Sequence, residues 1–469
     1  MFWGLGVMEG ESESAALGID DASPSSNAEF ANTGAPVSSQ RRQFVRVMLQ
    51  AAALPTAYSA LGVPSVRAAT PNGGNTPLTG SDRVHIVRDF QDPYLELLRL
   101  LNVAAEIEHG LMVQYLYCAF SIKPRYAALV GYAAPSANDI LGIAVQEMQH
   151  LGKVNNLLGA LGAAPVLIRE DFPYEPDIIP FRFRLEPASR ASLAKYVWTE
   201  SPAGATDLAK AKTAEDRLFC QQLDQVLSNG QRRPNFVGPL YDAVIALVKE
   251  VDAIKDKSLP DLKPFVPILE SIKAEGESGH YHTFRKIFLG VHTGFSGVAD
   301  VWQRPVIDPL YPAYPLPLNP TAYVGHENQI QDPAARRLAW LGNLHYWSML
   351  NLLSTGYSKG STDLVLASRT HMLGPFMSLA RQLGKMGSGM PFDPLGQGYG
   401  RSAGNKGSAN YLRHLLAETG RFEKQLGKDL PSDYPVGVCS ATEQVLARVE
   451  PQLRAALAPI VDPWDAGLA

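Results

Sequence analysis

The sequence predicts an all-α protein: a four-helix bundle with one long crossover, followed by a further helical region. Three observations predict it. Apolar residues recur at three- and four-residue spacings over long stretches, and no convincing β-rich region appears. The long stretches come in two pairs. Between the pairs, residues 164–190 carry five prolines and no sustained period, as a long ordered crossing loop would.

The first helix covers "YLELLRLLNVAAEIEHGLMVQYLYCAFSI", about 29 positions in which Gly110 is the first breaker. A well-packed helix tolerates such a glycine at a cost of about 1 kcal/mol. A loop with Pro124 and Pro135 leads to a cap region at Ser136 to Asp139, and the second helix runs from there to about Leu161 and stops at Gly162. After the crossing loop, residues 191–230 read as helical with a polar break at "ESPAGATD". The second long pair is "GPLYDAVIALVKEVDAIK", with Pro239 at a first helical position, and "LKPFVPILESIKAEGESGHYHTFRKIFLG". The Pro-rich linker "RPVIDPLYPAYPLPLNPTAY" then separates the bundle, 84–295, from C-terminal helices expected near 333–357, 361–385, 409–426 and 441–457, within a region 325–460. The Gly-rich "GMPFDPLGQGYGRSAGNKGS" lacks GxGxxG spacing and a preceding strand, so it reads as a loop.

Composition narrows the function. The chain of 469 residues is 46% apolar and 19% charged, which suits a large packed core rather than a disordered chain. A net charge of −4 with no basic run gives no reason to expect a nucleic-acid partner, and a small molecule remains the expected one. No stretch is apolar enough to span a membrane. Cys118, Cys220 and Cys439 are far apart and odd in number, and read as buried thiols. Residues 1–38 lack periodicity, and "QRRQFVRVMLQAAALPTAYSALGVPSVRAAT" resembles a twin-arginine export signal: Arg41 and Arg42, Phe44, a modest apolar stretch, and small residues at Ala68 and Ala69 where cleavage could fall. Residues 1–69 are therefore expected to be lead and signal, the twin-arginine machinery a partner, and the mature protein periplasmic or extracellular.

The chemistry lies in a repeated motif. "QEMQH" places Glu147 and His150 at i and i+3, on one helical face, and "EGESGH" repeats the spacing with Glu277 and His280. Two Glu-x-x-His pairs on the second and fourth helices, with one carboxylate from each of the other two, are what dimetal carboxylate bundles use. The first helix offers Glu106 and Glu108. Glu108 is favoured because Tyr115, seven residues on, shares its face and can hydrogen-bond the acid, tune the site or pass an electron. The third helix offers Asp242, with Glu250 in reserve. The expected ligand set is thus Glu108, Glu147, His150, Asp242, Glu277 and His280, for iron or manganese. Such ions take carboxylate oxygen and imidazole nitrogen, and bridging carboxylates hold two of them roughly 4 Å apart. His109 and His282 point elsewhere. His345, His371 and His414 sit among apolar residues, as core histidines do, and would be the axial candidates if haem bound. No CxxCH supports covalent haem, and no GxSxG supports a serine nucleophile.

The run "EIEHGLMVQYLYC", then "QEMQHLGKVNNLLGALGAAP", "YVWTESP", "VGPLYDAV" and "EGESGHYHTF", resembles the ferritin-like domain of the iminophenyl-pyruvate dimer synthase family over about residues 90–290. The family includes large enzymes of violacein, rebeccamycin and staurosporine biosynthesis that oxidatively couple two amino-acid-derived imines and are associated with haem or iron. The resemblance implies a ferritin-like bundle, the metal set above, and oxidation or coupling of a small amino-acid-derived substrate with O₂ or peroxide. This chain is far shorter than those enzymes, and they are intracellular. The other reading of the same residues is a metal-binding, ferroxidase or structural protein with no organic substrate.

Overall fold

The computed structural model describes residues 86, 88–167, 184–227, 237–254, 259–394 and 405–454. The expected signal at 1–69 and most of the Pro-rich crossing segment lie outside the described residues. Among those described the chain is helical, with only two isolated β-bridges, Ile122 to Ala313 and Thr321 to Gln329.

Helix α1 (Pro93–Ser121) starts where Asp92 caps it, its carboxylate accepting from the Leu95 N–H at 2.8 Å, with Pro93 preset for the first turn. Every residue from Ile107 to Ser121 is buried, so the C-terminal half of α1 is enclosed on all sides rather than along one stripe. Helix α2 (Ile140–Ala160) is capped by Asp139, which accepts from Gly142 N–H at 2.7 Å, and it packs along α1. Helix α3 (Arg190–Glu200) opens with a reciprocal Ser189/Ser192 capping box. It stops because Pro202 holds Ser201 in an extended conformation (φ −69°, ψ 135°). Helices α4 (Ala214–Leu227) and α5 (Val237–Ile254) follow. The last long helix of this half is one rod in three parts: α6 (Phe265–Ala274), a π-helical turn (Glu275–His280) and α7 (Tyr281–Phe288). Helix α3 packs on α7, while α5 lies against α1 and α6.

The C-terminal half comprises α8 (Pro333–Lys359), α9 (Thr362–His371), a second π turn (Met372–Phe376), α10 (Met377–Lys385), α11 (Asn405–Leu426) and α12 (Val438–Arg454). The apolar packing is continuous with the bundle. At Gly384 the α10 backbone rests on the end of α1: a Cβ there would stand 2.3 Å from the Phe120 carbonyl oxygen. The segment 304–323 crosses the same end, held by Lys123 N–H to Pro312 O at 2.8 Å and Tyr126 Oη to Leu310 O at 2.7 Å. No helix among the described residues is long and apolar enough to cross a membrane. All three cysteines are free and buried.

Candidate metal centre

The bundle interior holds five buried groups that face one another: Glu108 of α1, Glu147 and His150 of α2, Glu200 at the last position of α3, and His280 at the end of the π turn. They form two overlapping triads, Glu108/Glu147/His150 and Glu147/Glu200/His280, each with ligand atoms within 4.8 Å of one another. Glu147 belongs to both. Its Oε2 is 3.1 Å from His150 Nδ1 and its Oε1 is 2.7 Å from His280 Nδ1. His150 Nδ1 also lies 3.6 Å from Glu108 Oε2, and His280 Nδ1 3.4 Å from Glu200 Oε2. The two imidazoles lie nearly parallel, ring centres 5.8 Å apart.

Each inward group is held from outside. The Nε2 of His150 faces Glu275 Oε2 at 3.0 Å, and the Nε2 of His280 faces Gln146 Oε1 at 3.2 Å, so both rings present Nδ1 to the interior. Tyr241 Oη donates to Glu108 Oε1 and Tyr115 Oη to Glu200 Oε1, fixing one oxygen of each outer carboxylate. Such outer contacts orient metal ligands and set their basicity. The remaining oxygen of Glu108, Oε2, is buried without a hydrogen-bond donor, and Glu147 Oε1 and His280 Nδ1, also buried, have only their mutual 2.7 Å ion pair. Buried carboxylate oxygens gathered around two imidazoles are costly unless protons or cations balance them. The residues therefore fit a pair of ions.

The electrostatics agree. Burial, with the Glu147 charge beside it, pushes the Glu108 carboxyl up to about 8. Burial opposes ionisation of Glu147 too, yet His280 and His150 hold its carboxyl well below the usual range. Desolvation works against charge on both imidazoles, but Glu147 outweighs it: His150 is raised well above its ordinary value, and His280 to about 10. The hydrogen bond with His150 brings Glu275 down to about 2. Without an ion, protons hold this cluster's charges in balance.

The structure gathers Glu108, Glu147, His150 and His280 from the expected set and places the other two elsewhere. The third acid of the cluster is Glu200, the last residue of the short helix α3, rather than Asp242 of the expected third bundle helix, α5. Asp242 is exposed on α5 and paired with Lys273 Nζ at 2.7 Å, and the reserve Glu250 pairs with Arg88 at 3.0 Å. Glu277 lines the cavity beside the cluster without joining either triad, its Oε1 lying where a Cβ on Gly238 would come within 2.4 Å of it. The reason is the π turn. In an α-helix Glu277 and His280 would share a face at i and i+3, whereas the wider π turn swings them apart, and the acid at its start, Glu275, meets His150 from outside instead. Sequence reasoning passed over Glu200, Glu275, Gln146 and Tyr241. Glu200 closes a helix of only 11 residues, buried from Ser192 to Glu200 except at Lys195, and its place in the cluster follows from that burial. Tyr115 is placed as expected on the Glu108 helix, though its partner is Glu200. His109 is buried and bonds Tyr346 Oη at 2.7 Å; His282 and His414 are exposed.

Residues 101–264 match a family model described as Ferritin-like. The chain carries a ferritin-like domain. It is 26% identical over 322 residues to the dichlorochromopyrrolate synthase of Lentzea aerocolonigenes, an alignment that covers 58% of this chain and 32% of that protein. The chain thus spans about a third of the length of the curated relative it matches. No solved structure matches.

Proposed function

We propose that the chain is a metal-dependent oxidoreductase whose ferritin-like bundle holds two iron or manganese ions. One half-site is Glu108 and His150, the other Glu200 and His280, with Glu147 shared between them. The observation that carries this reading is that shared carboxylate, flanked by two Nδ1 atoms at 3.1 and 2.7 Å in a fully buried site. When bound, such an ion pair supplies two-electron chemistry with O₂ or peroxide. The chain's own residues do the rest. Tyr241 and Tyr115 hold the outer carboxylates, and Glu275 and Gln146 hold the rings. The resemblance and the synthase relative support a small amino-acid-derived substrate, oxidised or coupled. The paired arginines at 41 and 42 support export by the twin-arginine route and action outside the cytoplasm.

One observation favours a second reading, metal binding or ferroxidase turnover without an organic substrate. The cavity beside the cluster is about 20 Å³, on the order of a single water. Organic-substrate pockets run to roughly 300 Å³ and more. The test is metal analysis of the purified protein beside Glu147→Ala, followed by O₂ consumption with ferrous iron alone and with aromatic amino-acid-derived imines. About two equivalents in the parent, lost in the variant, with O₂ uptake that requires the imine, is the expected result. Equal metal in both proteins refutes the centre, and uptake with iron alone selects the ferroxidase reading.

A further inference from the structure

We infer that the C-terminal helices hold a second, separate metal site, made of His345, His371 and Cys439 and suited to a zinc-class ion. One ring nitrogen of each histidine and the Cys439 sulfur lie within 4.8 Å of one another, and all three residues are buried. They come from three helices, α8, α9 and α12, and Glu423 of α11 stands 3.8 Å from the sulfur. Thiolate with imidazole is the donor set that zinc and copper take, in contrast to the carboxylate-rich centre of the bundle.

The hydrogen-bond polarity around the histidines carries the argument. The Thr442 hydroxyl donates to Val438 O at 2.9 Å, so its oxygen is left to accept from His371 Nε2, also 2.9 Å away. Tyr434 Oη donates to Glu423 Oε1, so its oxygen accepts from His345 Nε2 at 2.7 Å. Both rings therefore carry their proton on Nε2. Their two Nδ1 atoms then face each other 2.9 Å apart with a lone pair on each and no proton between them. Either the network holds an extra proton, on one ring with Glu423 as its counter-charge or on Glu423 itself with the Tyr434 hydroxyl turned to His345, or an ion binds both nitrogens. Ligation through the Nδ1 pair leaves every outer bond intact, since each Nε2–H already has an oxygen to hold it, as metal-bound histidines require. Both π turns among the described residues adjoin histidines of the two clusters, one ending at His280 and the other starting after His371. The site is enclosed, as structural zinc sites are, and an ion there would fasten α8, α9 and α12 together.

The test is metal analysis and cobalt substitution of the full chain in a Glu147→Ala/His280→Ala background, which removes the bundle centre from the reading. Protein produced with zinc is expected to retain about one equivalent. Protein produced with cobalt is expected to show a thiolate-to-cobalt charge-transfer band in the near ultraviolet, unchanged in Cys118→Ala/Cys220→Ala and lost, with the equivalent of metal, in Cys439→Ser. Should Cys439→Ser fail to fold, the band in Cys118→Ala/Cys220→Ala decides, because Cys439 is then its sole thiol. Absence of that band, or metal content that Cys439→Ser leaves unchanged, overturns the site and assigns the histidine pair to a shared proton balanced by Glu423.

Discussion

Loading the bundle centre should expel protons, and the structure says how many. At pH 7 the metal-free cluster carries one proton too many on each of three groups: His150, raised well above its ordinary value, His280, raised to about 10, and Glu108, raised to about 8. Ligands must shed these protons to bind, so filling both half-sites should release about three. Each released proton makes binding about 1.4 kcal/mol less favourable per pH unit of acidification, so about 4 kcal/mol, or a thousandfold in the overall two-ion constant, separates pH 7 from pH 6. Above about pH 8 Glu108 is already ionised, and the number should fall to two. Stability of the metal-free protein runs the other way. Groups whose folded values are raised stabilise it at low pH and stop doing so as pH rises through those values, so the imidazole contribution is full below 6.5 and fades toward 10. Glu147, held low, keeps its contribution until acid protonates it. Isothermal calorimetry in two buffers of different ionisation heat counts the protons directly. Release of fewer than one proton at pH 7 would refute this electrostatic account, and a Glu108→Gln variant that still shows the step near pH 8 would refute the assignment of that step.

Tyr241→Phe should weaken the Glu108/His150 half-site and Tyr115→Phe the Glu200/His280 half-site, each by about 10- to 100-fold in metal affinity, since each hydroxyl fixes one ligand oxygen; competitive chelator titration checks this. Asp242→Ala should leave metal stoichiometry unchanged and stability within about 1 kcal/mol, because it removes an exposed ion pair with Lys273, and loss of an ion in this variant would return Asp242 to the centre. Gly384→Ala should destabilise by about 1–3 kcal/mol, visible in denaturant melts, because its methyl meets the Phe120 carbonyl at 2.3 Å and backbone lies on both sides.

The helices were legible because length and period are written locally. The caps at Asp92 and Asp139 fall where the polar residues before each apolar run place them. The Glu-x-x-His of α2 was legible for the same reason: in a regular helix Glu147 and His150 share a face by spacing alone. The third carboxylate was not legible, because the rule that a long amphipathic helix supplies it favours α5, whereas the chain uses the short α3, whose stability comes from burial against α7 rather than from length. Likewise the pairing of Tyr241 with Glu108 and of Glu275 with His150 depends on how separate helices dock, and no local pattern encodes it.

The π turn explains why a motif that repeats in the sequence does not repeat in the structure. A π turn has one residue more per turn than its neighbours accommodate and is kept only where something offsets its poorer packing. Here two glycines, Gly276 and Gly279, flank Glu277, and Gly276 lies so close to Glu200 that a Cβ would approach its Oε2 to 2.9 Å. The turn therefore does two things at once. It lets the Glu200 carboxylate stand against the backbone of the fourth bundle helix, and it brings Glu275 to the outer edge of His150 while His280 keeps the inner position. The result is a nearly symmetric centre, with a carboxylate tied to a tyrosine and an imidazole tied through Nε2 on each side of Glu147, built from two segments whose sequences share only Glu-x-x-His. The arrangement around Glu147 is nearly symmetric although the sequence motif is not repeated in space.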